Sequence, residues 1–244
     1  MTEATSPDPP PSQSARALLT GLWTSLPIVL GYLPIAFAFG VAARGVGLSL
    51  AEAVALSLIL YSGGAQFVAL ALVGSGAPLL VSVFTLAAMG VRHVLYGPAL
   101  MRRAGPDARR DLAWAWAWGL TDEVFGTALG ALARGQRYSQ PFMVGLGLGA
   151  YAAWVLGTAA GAYAGSSAFA GWPAVEAGLG FMLPALFLAL LLSLLSRDQV
   201  PVLALAATAT VLVSLLWSAT AGLLAGMIAG AVAGALLPGR RHAD

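Results

Sequence analysis

The sequence predicts an all-α, polytopic helical membrane protein with about seven or eight transmembrane helices, at least one of them interrupted. Three observations carry this. Of 244 residues, 59% are hydrophobic and only 9% charged, where a soluble domain of this length carries roughly a quarter charged. The apolar residues gather into runs close to the ~20 residues that one helical crossing of a bilayer needs. One such run, "LSLILYSGGAQFVALAL" (56–72), is broken in its middle by Tyr61, Ser62, Gly63, Gly64 and Gln66.

On the bilayer ruler the spans fall at 17–43, 50–73, 78–101, 112–133, 141–165, 176–195, 200–217 and 219–237. "ARGVGLS" ends the first, and Ser49 with Glu52 makes a capping box that starts the second. Gly74 to Pro78 divides the second from the third. The hydrophilic segments "RRAGPDARRD", "RGQRYSQP" and "SRDQVP" mark later turns. The organisation expected is a disordered Pro/Ser-rich tail (1–16), one transmembrane transporter domain (17–237) and a short polar tail (238–244). The N-terminus carries Glu3 and Asp8 and makes a poor signal peptide.

All the basic charge is arginine, and the pI near 9.3 rests on few charges. That fits interfacial arginines and leaves no nucleic-acid footprint. The chain has no cysteine, so disulfides, thiolate catalysis and cysteine metal sites are excluded. With eight simple crossings the arginines divide six against five between the two sides, which sets no orientation. Either the topology is weakly encoded or one segment does not cross simply, and the glycine-broken second span is the natural suspect.

A weak internal echo relates 31–45 to 149–165 and 52–72 to 176–192, with breaks at Gly63-Gly64 and at Pro184 in corresponding places. Paired interrupted helices point to a transporter's binding site. Broken backbone at membrane depth is tolerated only where protein or a wet cavity surrounds it, and half-helix ends offer oriented dipoles there. In "YSGGAQ" the glycines let a ligand approach the backbone, while Tyr61, Ser62 and Gln66 add donors and acceptors. The structural alternative is close helix packing.

Arg92 and His93 lie well inside the third span, Asp122 and Glu123 well inside the fourth. Each such charge costs about 2.5–3.5 kcal/mol on insertion scales, so a partner is required. Both sets sit ~15 Å from the loop between the spans, which makes an Arg92–Asp122 or Arg92–Glu123 pair available. The second acid and the histidine are surplus to a structural bridge and could serve a substrate ammonium or proton coupling. Of the two acids, Glu123 is expected to be paired or structural and Asp122 to face substrate. Glu52 and Glu176 read as helix starts. Trp23, Trp114, Trp118, Trp172 and Trp217 read as interfacial belt residues, whereas Trp154 is mid-span and unexplained. Gly222, Gly226, Gly230 and Gly234 lie four apart on one face, a surface for tight helix contact, within the chain or with another subunit.

Several of these pieces together resemble the AzlC family of branched-chain amino-acid permeases. They are "LPIVLGYLPIAFAFGVAARGVGLSLAEAVALSLILYSGGAQF", "RHVLYGPAL", "TDEVFG", "WVLGTAAG" and "GLGFMLPALFLALL", in the family's order over roughly residues 26–195. The resemblance implies a multi-pass exporter of leucine, isoleucine, valine or analogues in the bacterial inner membrane, working with a small AzlD-like membrane subunit. The positions carried over as substrate-binding are Tyr61, Ser62, Gly63, Gly64, Gln66, Arg92, His93, Asp122 and Glu123. No cofactor, metal or catalytic residue is expected. With no P-loop in the chain, coupling to protons or to the membrane potential is the default. A passive channel, an uptake carrier for another small solute and an intramembrane serine hydrolase (Ser62 with His93) are the rival classes; the last lacks a nucleophile elbow.

Overall fold

A computed structural model describes residues 11–106, 108–165 and 197–236, with scattered positions between 171 and 195. Pro184 and Glu176, singled out above, lie outside the described residues. Among the described residues the regular structure is entirely helical, as expected. The chain divides into two compact units, 1–182 and 183–244.

In the first unit α1 (Pro11–Thr24) begins within the segment expected to be a disordered tail. It ends at Ser25, whose hydroxyl donates to Leu22 O, and Pro27 sits in the first turn of α2 (Leu26–Gly45). The long helix α9 (Gln140–Ala164) is the spine. Ser139 caps its first turn by accepting from Phe142 N. Along it, Gly145 packs on Leu18, Gly149 on Ser25, Gly157 on Leu33 and Ala36, and Gly161 on Phe37. That order makes α2 and α9 parallel and so close that a methyl at Gly40 or Gly161 would strike the other backbone. Close approach of this kind replaces the missing hydrophobic drive between helices in lipid.

The second expected span turns back on itself. After the Ser49–Glu52 capping box, α3 (Leu50–Ile59) runs down α9, with Ser57 bonded to Thr158. The chain breaks at Leu60–Ser62, and α4 (Gly63–Gly74) returns to where α3 began. Ala53 and Leu70 share one core with Phe39, Ala43 and Ala162, and Gly74 ends beside Val46.

The third span crosses as α5 (Leu79–Gly90) and α6 (His93–Ala104), jogging at Val91–Arg92. The fourth does not cross. Leu112 N donates to Gln140 Oε1, placing the start of α7 (Ala113–Trp118) beside the start of α9. Gly119 reaches Gly147, the chain reverses over Gly119–Thr121, and α8 (Asp122–Ala133) descends beside α6 until Arg103 and Arg137 line one recess. So α6 and α8 run parallel, where two simple spans would be antiparallel. Two short helical hairpins therefore enter from opposite ends, with tips at Leu60–Ser62 and Gly119–Thr121.

In the second unit, Val200–Leu216 and Ala219–Leu236 form a helical hairpin. Gly222, Gly226 and Gly230 face Ser214, Thr210 and Ala206 across it, so the glycine ladder is used within the chain.

The reversal of α7–α8 removes the arginine tie. Arg102, Arg103, Arg109, Arg110, Arg134 and Arg137 all lie at one end of the first unit, with Arg16 beside the first turns of α9, against Arg44 at the other end. By the positive-inside bias that basic end is cytoplasmic. Because the chain lacks cysteine, single cysteines report this directly. Ala108→Cys and Gln136→Cys should both react with an impermeant maleimide from the cytoplasmic face, and Ser75→Cys from the periplasmic face. Labelling of positions 108 and 136 from opposite faces would mean that α7–α8 crosses.

Candidate functional site

The break between α3 and α4 strips carbonyls of their helical donors at a depth where lipid offers none. Gln66, fully buried near the start of α4, reaches back across the break and adds a second donor to carbonyls that already accept a backbone N–H, Leu60 N for Leu56 O and Ser62 N for Leu60 O. Its Nε2 reaches Leu60 O at 2.7 Å, Ser57 Oγ at 3.2 Å and Leu56 O at 3.3 Å. Its Oε1 accepts from Trp154 Nε1 at 2.9 Å. Tyr151 on α9 donates to Leu58 O at 2.9 Å. The Trp154 ring lies against Gly63, where a methyl would come 2.5 Å from the indole. Glycine at 63 thus answers to an aromatic neighbour.

The other tip is held from α2. Thr121 caps α8 by accepting from Val124 N at 3.3 Å. The Tyr32 hydroxyl donates to Glu123 Oε2 at 2.6 Å and lies 2.6 Å from Thr121 Oγ1. Tyr32 in turn meets Trp154 edge to face, ring centroids 5.0 Å apart. Through Gln66, Trp154 and Tyr32 the two tips are joined by one buried chain of contacts. Tyr61, in the first tip, packs edge-on against Tyr151 at 4.9 Å and lies within electrostatic reach of Glu123 at the second. Its hydroxyl is buried and, among the described residues, has no hydrogen-bond partner, which is a costly condition for a polar atom.

The outer acid is differently engaged. Asp122 Oδ2 accepts from Arg92 at 2.7 Å, and Oδ1 accepts from the Tyr96 hydroxyl. Tyr96 stacks on Phe125, centroids 4.6 Å apart and planes 9° from parallel. The ion pair is partly open, with side chains 48% and 32% exposed. His93 places Nδ1 3.2 Å from Gly90 O and its ring edge against Tyr96.

The structure therefore brings Tyr61, Ser62, Gly63, Gly64, Gln66 and Glu123 to the junction of the tips, and sets Arg92, His93 and Asp122 beside it on the α6–α8 face. Asp122 holds the arginine and Glu123 turns inward to Tyr32, because the first turn of α8 points successive side chains to different neighbours. Gln66 is committed to the protein's own backbone and indole. Sequence reasoning missed Tyr32, Thr121, Tyr151 and Tyr96. Thr121 had left a signal, since Thr-Asp-Glu is the start of a helix and stood in mid-span.

Paired half-helices that enter from opposite ends and meet on buried polar side chains define a polytopic membrane transport protein. The chain belongs to the AzlC protein family, whose model matches residues 27–168. It is 45% identical to "Inner membrane protein YgaZ" of Escherichia coli over 195 residues, 80% of each chain. It is 39% identical over 172 residues to an uncharacterized membrane protein of Archaeoglobus fulgidus, covering 70% of this chain and 73% of that one. No solved structure matches it. The chain is thus a multi-pass transport protein of the bacterial inner membrane.

The Gly63–Trp154 contact makes a prediction. Gly63→Ala should lower membrane abundance severalfold, because the indole cannot recede while Gln66 holds its nitrogen. Adding Trp154→Phe, which removes the crowded ring atoms, should restore part of that abundance. Wild-type abundance of Gly63→Ala alone would contradict the packing described.

Proposed function

We propose that the chain is a secondary transporter that exports branched-chain amino acids, coupled to protons or to the membrane potential and working beside a small AzlD-like subunit. The observation that carries the reading is the buried Tyr61 hydroxyl, unpartnered among the described residues, beside Glu123 where the two hairpin tips meet. The family membership supports a transport role, and the substrate class and direction are those that the resemblance in the sequence implies.

A small zwitterion fits the chemistry of this junction. Its ammonium takes the place between Glu123 and the Tyr61 hydroxyl. Its carboxylate takes the first-turn amides of α4, which have no acceptors within their own helix and receive no cap from Ser62. Trp154 covers Gly63, and Gly64 adds no side chain to that first turn. The apolar tail lies against the aromatic side chains between the tips. Arg92 and Asp122 neutralise each other, which leaves Glu123 as the acid that can hold either a proton or an ammonium. Exchange of the one for the other at a single carboxylate couples export to proton entry. Tyr32 keeps Glu123 aimed inward in both states.

Leucine counterflow in proteoliposomes tests the reading. Glu123→Gln should reach near wild-type abundance yet lose counterflow by a factor of ten or more, along with its dependence on pH. Asp122→Asn should do the reverse and lower abundance, since it leaves Arg92 unpaired at a cost of about 2.5–3.5 kcal/mol. Full, pH-sensitive flux in Glu123→Gln would refute the coupling role. Flux that rises linearly with substrate and never saturates would identify a channel.

A further inference from the structure

Arg102 and Arg110 take no part in the transport site, and among the described residues neither has an acidic partner. Arg109, between them in the chain, is by contrast bound to Asp111 at 3.0 Å. The two arginines flank an open cleft of about 920 Å³ between α6 and α7. Below them the walls turn apolar: Gly97, Pro98 and Met101 on α6 face Ala113 and Ala117 on α7. Gly97 lies five residues, ~7.5 Å of helix, deeper than Arg102, and a Cβ there would have no neighbour within 4 Å. Trp114, 77% exposed, stands at the same end. Cations at the bilayer surface above an apolar slot that runs toward its centre match one kind of molecule.

We infer that this cleft binds an anionic phospholipid from the cytoplasmic leaflet. The phosphate sits between Arg102 and Arg110, and one acyl chain lies along Gly97, Ala113 and Ala117, with Trp114 at the headgroup level. Basic pockets between transmembrane helices on the cytoplasmic side hold anionic headgroups in this way, and the slot beneath separates a lipid from a soluble anion. The site is independent of the substrate reading above.

The test uses the full chain, purified in neutral detergent and stripped of lipid. It is titrated with phosphatidylglycerol, with phosphatidylcholine of the same chains and with glycerol phosphate, and bound lipid is counted by native mass spectrometry. Phosphatidylglycerol should be retained in preference to phosphatidylcholine, and glycerol phosphate should not compete. The R102Q/R110Q variant should bind phosphatidylglycerol about thirtyfold more weakly, from two interfacial arginines. Gly97→Leu, which fills the slot and leaves both arginines, should also weaken it, without loss of yield. The R103Q/R137Q variant, altered in the neighbouring recess, should bind as wild type does. Equal binding of the two lipids, competition by glycerol phosphate, no effect of Gly97→Leu, or equal losses in the two arginine pairs would each overturn the assignment.

Discussion

A helix that stops halfway through a bilayer leaves polar backbone at membrane depth, and here one buried amide ties the two sides of the break together. Gln66 bonds to Leu56 O, Ser57 Oγ and Leu60 O on one side and holds the indole of Trp154 on the other. A buried polar group left unsatisfied costs about 1–3 kcal/mol, and the end of α3 and the Trp154 indole together give both ends of the Gln66 amide a partner. From that junction the rest follows. Trp154 fixes Gly63 beneath it and Tyr32 beside it, and Tyr32 fixes the tip of the second hairpin through Glu123. The parallel α2 and α9 form the frame on which both tips hang.

The same arrangement separates two carboxylates that are adjacent in sequence. Asp122 faces α6, where Arg92 and Tyr96 fill its acceptor sites. Glu123 faces α2 and the Tyr61 hydroxyl. One acid is consumed by holding α8 to α6, and the other stays available at the junction. This is the physical basis for assigning the first to folding and the second to coupling.

Much of this was legible in the sequence, and the omissions have physical causes. The apolar runs gave the helical membrane class, and "YSGGAQ" gave the first break, since no other residues there could stop a helix so abruptly. Depth along the helices placed Arg92 within reach of Asp122 or Glu123 without choosing between them, and Arg92 pairs with Asp122 even though α6 and α8 run parallel. The reversal at Gly119–Thr121 was hidden by flanking apolar residues that add to one span's length whether or not the chain turns; the arginine tie was its trace, and the suspicion fell on the other hairpin alone. The roles of Gln66 and Glu123 depend on Trp154 and Tyr32, 88 and 91 residues away. No local pattern encodes such partners, so the polar residues at the break could be located but not apportioned between backbone and ligand.

The claim that the two tips are joined through Tyr32 is tested most directly by a double-mutant cycle on thermal unfolding in lipid nanodiscs, combining Tyr32→Phe, which keeps the ring against Trp154, with Glu123→Gln. A hydrogen bond to a charged group contributes about 1.5–3 kcal/mol, so the two changes should be coupled by at least ~1 kcal/mol, the double variant losing less than the sum of the singles. Strict additivity would contradict the joined tips.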